Sequence, residues 1–280
     1  MNKTLAIFEL MRLDKPIGIY LLLWPALLAL VISSNGNFEY VDLIIVIIGS
    51  ILVRSAGCVI NDIWDKDLDG GVERTKTRPI PSKKLSISES WVVFAVLSIL
   101  SLMLLSLTNA NTILISICFG LMIVVYPLTK RFFIGPQIFL GLTFNPTIIV
   151  YAMTNELNNP TIIFLYLAIA AKIIAFDSFY GLCDMEDDKK LGINSTPLWW
   201  GSKTLLIIAI LQFAVISFLM VVGLKAELSF AWYIGIILLS GFYFYQHQLA
   251  SQKNFLLAFK NNHWASLYLL TLSVFCFFII

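Results

Sequence analysis

Charge is what this sequence has least of. Lys, Arg, Asp and Glu make up 13% of its 280 residues, against roughly 25% in a soluble domain. That is too little to coat a soluble surface. With hydrophobic residues at 59% and a mean hydropathy of +0.87, the chain reads as a polytopic membrane protein. Cysteine is also scarce. Cys58, Cys118, Cys183 and Cys276 are scattered with no C-x-x-C spacing, which argues against metal or disulfide roles and leaves small apolar packing residues. The two histidines, His247 and His263, stand alone and suit an interfacial position better than catalysis. The apolar–polar alternation of a membrane β-barrel is missing. So is any nucleic-acid-binding motif. The N-terminus does not read as a cleavable signal: the apolar run after Arg12, Asp14 and Lys15 is too long for an h-region, and no small-residue cleavage site follows.

What is present is a series of apolar runs of bilayer length. About nine spans can be marked, at 16–33, 43–62, 90–107, 112–128, 136–153, 160–179, 203–223, 229–246 and 264–280. They predict an all-α fold, a single integral-membrane domain over residues 1–280. Nine spans place every one of the 19 basic residues except Arg54, Lys172 and Lys225 on the side of the N-terminus. The positive-inside rule makes that side cytoplasmic. Lys172, near the cytoplasmic end of the sixth span, is expected to snorkel. Gly135-Pro136, Gly141 and Asn145-Pro146 predict a kink in the fifth span.

The charge that does occur is concentrated. Asp62, Asp65 and Asp69 follow the second span at i, i+3 and i+7, one face of a helix. Asp177, Tyr180, Asp184 and Asp188 do the same at the end of the sixth span. Helix capping or a solvated helix end accounts for either stripe alone. Two such stripes at one membrane face point instead to one site with Mg²⁺ between them, because a divalent cation turns like-charge repulsion into binding. Their placement four spans apart suggests a 4+4 pseudo-repeat, with the ninth span appended.

Basic residues stand beside the acids. Arg74, Lys76, Arg78, Lys83 and Lys84 fill the loop after the first stripe, and Lys130 and Arg131 end the fourth span. An ordinary positive-inside loop is one reading. A phosphate-rich ligand needing cationic donors on its remaining oxygens is the other. Arg12-Leu-Asp-Lys-Pro-Ile-Gly18 reads first as a helix start, and second as a place where Arg12 or Lys15 meets an anion. Arg54 lies within the second span, on one stripe with Asn61 and Asp65. It is either paired with an acid from a helix end or awaiting an anionic ligand.

Asn61-Asp-x-x-Asp65-x-x-x-Asp69 with Arg74-Thr-x-x-Arg78-Pro, and Asp177-x-x-Tyr180-x-x-x-Asp184-x-x-x-Asp188, resemble the two signatures of the UbiA superfamily of intramembrane prenyltransferases. The likeness runs over nearly the whole chain. Through Arg12–Gly18, Leu22-Leu-Trp-Pro25, Arg54–Asn61 and Tyr126-Pro127 with Lys130-Arg131, it is nearest to the 4-hydroxybenzoate polyprenyltransferases of ubiquinone biosynthesis. Phe144-Asn-Pro-Thr147 departs from the small-residue stretch that relatives carry there. The resemblance implies that Asp62, Asp65, Asp69, Asp177, Asp184 and Asp188 hold Mg²⁺ ions bridging a polyprenyl diphosphate. It implies catalytic weight on Asp65, Asp69, Asp184, Asp188 and Arg131, with Arg74, Arg78, Lys130 and Arg131 on the phosphates. Arg54 would take the acceptor carboxylate and Asn61 would orient its ring. Tyr180 would orient either a metal-site carboxylate or the diphosphate. The tail would lie among helices open to membrane lipid. The enzyme would sit in a bacterial inner membrane, or a mitochondrial one, with its site facing the cytoplasm. Another acceptor, such as a different quinone precursor or haem, and an ion-coupled transporter are the competing readings.

Overall fold

The computed structural model describes residues 3–71 and 74–278, and these contain helices and turns but no strand. Val72 and Glu73 of the basic loop, and Ile279 and Ile280 of the ninth run, lie outside the described residues. The helices are α1 (Lys3–Leu10), α2 (Ile17–Ser33), α3 (Tyr40–Trp64), α4 (Ile87–Leu105), α5 (Ala110–Thr129), α6 (Pro136–Thr143) and α7 (Thr147–Met153). They continue with α8 (Thr161–Leu191), α9 (Thr196–Trp200), α10 (Thr204–Lys225), α11 (Phe230–Ser251) and α12 (Phe255–Phe278). Among the described residues, five helical stretches are long and apolar enough to cross a membrane: Tyr40–Trp64, Ile87–Leu105, Ala110–Thr129, Thr161–Leu191 and Thr196–Lys225. Shorter apolar α2 stands beside them.

α8 is the pillar of the bundle. Of its apolar window 61% is buried, against 11% for α4 and 17% for α5, so α8 is enclosed by helices while α4 and α5 turn outward. Leu165, Ile169, Ile173, Phe176 and Phe179 carry its contribution to the main core. A smaller core lies at one end of α3, where Ala6 and Leu10 of α1 pack with Val59, Ile63, Leu85 and Leu97. That contact seats α1 beside the first acidic stripe. The chain turns into α4 through a capping box, in which the Glu89 amide donates to Ser86 Oγ (3.2 Å) and the Ser86 amide to Glu89 Oε2 (2.8 Å).

The kink expected in the fifth run is a full break. α6 ends at Thr143 and α7 begins at Thr147, because Pro146 lacks an amide hydrogen and clashes with the preceding turn. Neighbours satisfy the interrupted backbone. Asn145 Nδ2 donates to the Tyr166 carbonyl (2.8 Å), Tyr166 Oη donates to the Leu142 carbonyl (2.7 Å), and the Thr147 amide donates to Asn145 Oδ1 (3.2 Å).

Two expectations are corrected. α3 stops at Trp64, with Asp65 as its C-cap and Asp69 in a 3₁₀ turn, so the first stripe is not one continuous helical face. The second stripe does lie on one helix: α8 continues beyond the apolar run to Leu191, and Gly192 ends it in the left-handed region (φ +67°) that glycine adopts without strain. Lys172 does not snorkel. It is 2% exposed and its Nζ donates to the Asn262 carbonyl of α12 at 3.5 Å, because α8 is enclosed along that face.

Candidate active site

The first stripe is buried: Asp62, Asp65 and Asp69 are 1%, 2% and 5% exposed. Buried carboxylates require partners, and the chain provides them. Arg12 Nη2 donates to both oxygens of Asp62 (2.8 Å each), while its Nη1 donates to the Glu9 carbonyl (2.8 Å). Arg78 Nη1 bridges Asp62 Oδ1 (3.1 Å) and Asp69 Oδ2 (2.8 Å). Lys130 Nζ is bound to Asp65 Oδ2, and Asn61 Nδ2 donates to the same oxygen (3.1 Å). Asp69 keeps its place although α3 has ended, because the turn's Asp69 amide donates to the Asp65 carbonyl (2.8 Å) and Thr75 Oγ1 donates to the Asp69 carbonyl (2.8 Å).

The second stripe faces the first across the basic loop. Arg74 Nε donates to Asp184 Oδ1 (2.9 Å), its Nη2 binds Asp184 Oδ2, and its Nη1 binds Tyr180 Oη. The same guanidinium lies 4.4 Å from the Tyr180 ring centroid. Asp188 lies within electrostatic reach of Lys130 and Asp177 within reach of Arg54. The two halves are also tied through the backbone, where the Asn194 amide donates to the Lys130 carbonyl (2.9 Å). Beneath that link, Thr196 donates its amide to Gln137 Oε1 (2.8 Å) and shares a 2.7 Å hydroxyl contact with Ser178 of α8. Arg131 differs from the other cations. Its Nη2 donates to the Trp64 carbonyl (2.7 Å), which caps the C-terminus of α3.

Arg54 sits apart. Its guanidinium lies 4.9 Å from the centroid of the Phe144 ring, and its Nε is buried with no hydrogen-bond partner. Gly18 of α2 makes the room: a β-carbon there would stand 2.5 Å from Arg54 Nε. Tyr126 of α5 lies within electrostatic reach of Asp65, Asp177, Arg54 and Tyr180, so members of both stripes and Arg54 lie around one side chain. Burial pushes the Asp65 carboxyl above the ordinary aspartate value, against the pull of Lys130. Burial works to lower the Arg78 value, and the charges of Asp62 and Asp69 reverse that and raise it.

The donor set fits Mg²⁺, a hard cation that takes carboxylate oxygens. Asp65 Oδ1 is buried with no hydrogen-bond partner, a free oxygen suited to a cation. Among the described residues no three His, Cys, Asp or Glu side chains stand close enough to share one ion. The carboxylates are held by the chain's own cations instead. Sequence reasoning placed Arg12 second to a helix start, and left Gly18, Phe144 and Gln137 without roles at the site. Only the separation of Arg54 from any evident acid, and its stripe with Asn61, pointed in that direction.

The sequence matches the profile of the UbiA prenyltransferase family over residues 22–270. It is 40% identical over 265 residues to a 4-hydroxybenzoate octaprenyltransferase of Pseudomonas aeruginosa, covering 92% of this chain and 89% of that one. To the 4-hydroxybenzoate octaprenyltransferase of Vibrio campbellii it is 39% identical over 272 residues, covering 95% of each. Among solved structures, the apo UbiA homologue of Aeropyrum pernix superposes with a TM-score of 0.80 at 20% identity, over 90% of this chain and 94% of that one. The Archaeoglobus fulgidus UbiA homologue bound to GPP and Mg²⁺ gives 0.72 at 17% identity, over 95% and 99%.

Proposed function

The chain belongs to the UbiA prenyltransferase family, and from that premise we propose that it transfers a polyprenyl group from polyprenyl diphosphate to 4-hydroxybenzoate. The new bond forms at the ring carbon ortho to the hydroxyl, a step of ubiquinone biosynthesis. The names of the relatives at 40% identity support this acceptor. The observation that carries the reading within the fold is Arg54, a half-buried arginine whose Nε is enclosed and unpaired, in electrostatic reach of Tyr126 together with Asp65 and Asp177. It offers a charged grip for an aromatic carboxylate at a site otherwise built for diphosphate and metal.

In this reading Asp62, Asp65, Asp69, Asp177, Asp184 and Asp188 hold Mg²⁺. The metal supplies Lewis acidity that stabilises the leaving diphosphate. Arg74, Arg78, Lys130 and Arg131 take the remaining phosphate charge, and Tyr180 orients Arg74. Arg54 binds the acceptor carboxylate and Asn61 sets the ring. The phenol oxygen donates electron density to the ortho carbon, which bonds to the allylic carbon as the C–O bond breaks. Loss of the ring proton restores aromaticity. The polyprenyl tail lies against apolar helix faces and membrane lipid.

We further propose nine membrane crossings in a 4+4 pseudo-repeat, residues 1–280 forming one domain. The N-terminus and the site face the cytoplasm of a bacterial inner membrane, or its mitochondrial equivalent. The apolar runs predicted from sequence coincide with α2, α3, α4, α5, the broken pair α6–α7, α8, α10, α11 and α12, which supports this count. The test offers membranes one polyprenyl diphosphate and several aromatic acceptors. Ortho-prenylated 4-hydroxybenzoate is the expected product, and preference for a different acceptor would sink the assignment.

A further inference from the structure

The charged contacts at this site join residues assigned to opposite ligands. Asp62 is held by Arg12 and Arg78, Asp69 by Arg78, Asp65 by Lys130 and Asp184 by Arg74. Each acid is a candidate for metal, and each cation is a candidate for phosphate. A metal ion binding alone would take the carboxylates and leave the cations beside it uncompensated and partly buried. Diphosphate binding alone would draw the cations away and leave Asp62, Asp65 and Asp69 charged at 5% exposure or less. Stripping one member from a buried pair is strongly unfavourable. When both arrive, the carboxylates turn to metal and the cations to phosphate, and no charge is left bare.

We propose that Arg12, Arg74, Arg78 and Lys130 form a partner-exchange set, so that divalent metal and diphosphate bind as a mutually dependent pair. This deepens the metal–diphosphate reading above and rests on it. Arg12 is an added member. It lies on α1's connection to α2 rather than in either signature. Its backbone occupies the left-handed region (φ +59°), and its Nη1 is pinned to the Glu9 carbonyl. The guanidinium therefore stays at the rim of the stripe when Asp62 lets go, ready for an anion.

The experiment uses the purified full-length protein in detergent, with Mn²⁺ as a spectroscopic substitute for Mg²⁺ and inorganic pyrophosphate as the anion. Free Mn²⁺ is read by electron paramagnetic resonance, and labelled pyrophosphate by equilibrium retention. Mn²⁺ is expected to tighten pyrophosphate binding by a factor in the range of roughly 5–150, with a reciprocal gain for the metal. Arg12→Gln leaves Asp62 with Arg78. It should tighten Mn²⁺ binding in the absence of pyrophosphate and weaken pyrophosphate binding in the presence of Mn²⁺. A merely structural role would not move the two affinities in opposite directions. Arg74→Gln makes the same test at Asp184 and serves if Arg12→Gln does not fold. Independent binding of the two ligands, or variants that weaken both, would overturn the exchange and leave the metal–diphosphate reading standing. Failure of Mn²⁺ to bind even with pyrophosphate would overturn both.

Discussion

Gly18 of α2 and Arg54 of α3 compete for one volume: a β-carbon on Gly18 would stand 2.5 Å from Arg54 Nε and 2.7 Å from its Nη2. The glycine is a steric permission for the guanidinium. Gly18→Ala should push Arg54 out of line and raise the apparent KM for the acceptor by about tenfold, the scale of one charged hydrogen bond. The KM for polyprenyl diphosphate should change little. Steady-state kinetics with each substrate varied separately checks this, and an equal rise in both would break the link to Arg54.

Arg54 itself gives the larger effect. Arg54→Ala should raise the acceptor KM roughly ten- to a hundred-fold, from about 1.5–3 kcal/mol for a hydrogen bond to a charged group. Arg54→Lys should recover part of that, keeping the charge and losing the planar fork. If alanine weakens both substrates alike, Arg54 is a structural partner of Asp177 and the carboxylate binds elsewhere.

The carboxylates should be indispensable to turnover and not to insertion. Asp65→Asn or Asp184→Asn is expected to nearly abolish activity while the protein still reaches the membrane at ordinary levels. Removing metal with EDTA should do the same, and added Mg²⁺ should reverse it. Substantial turnover without metal would contradict the assignment of both stripes.

Sidedness is open to direct labelling. Cysteines placed at Glu39, Asn109, Asn158 and Lys225 should react with an impermeant reagent from the periplasmic face. Cysteines at Lys76 and Lys189 should not. Reaction of the Lys76 position from outside would invert the orientation and move the site to the other face.

Packing beneath the site is tight at Gly141 of α6, where an added β-carbon would meet Ile174 at 2.5 Å and the Ala170 carbonyl at 2.9 Å. Gly141→Ala forces backbone of α6 or α8 to move, and overpacking of this kind costs about 1–3 kcal/mol. A lower midpoint of thermal unfolding in detergent is expected. An unchanged midpoint would mean that the two helices separate freely there.

Helix positions were legible because apolar runs of bilayer length have few alternatives, and the two stripes were legible as spacing. The end of α3 was not. The i, i+3, i+7 pattern of Asp62, Asp65 and Asp69 fits a helix, yet the buried links from Lys130 and Arg78 hold the last two just as well outside one. Burial of Lys172 was hidden for a related reason. Depth along α8 follows from residue count, but the neighbour on each face does not, and α12 lies 90 positions away in sequence. The partner of Arg12 was not legible because its pairing with Asp62 depends on α1 packing against α3, a contact made by plain residues such as Ala6 and Leu10.

The break between α6 and α7 has a consequence for how the chain is made. One donor that satisfies it, Tyr166 Oη on the Leu142 carbonyl, belongs to a helix the ribosome supplies later. Unsatisfied backbone in hydrocarbon costs several kcal/mol per group. On the nine-crossing proposal, segment 136–153 and α8 would settle in the bilayer together, because the Leu142 carbonyl gains its donor only once α8 is present.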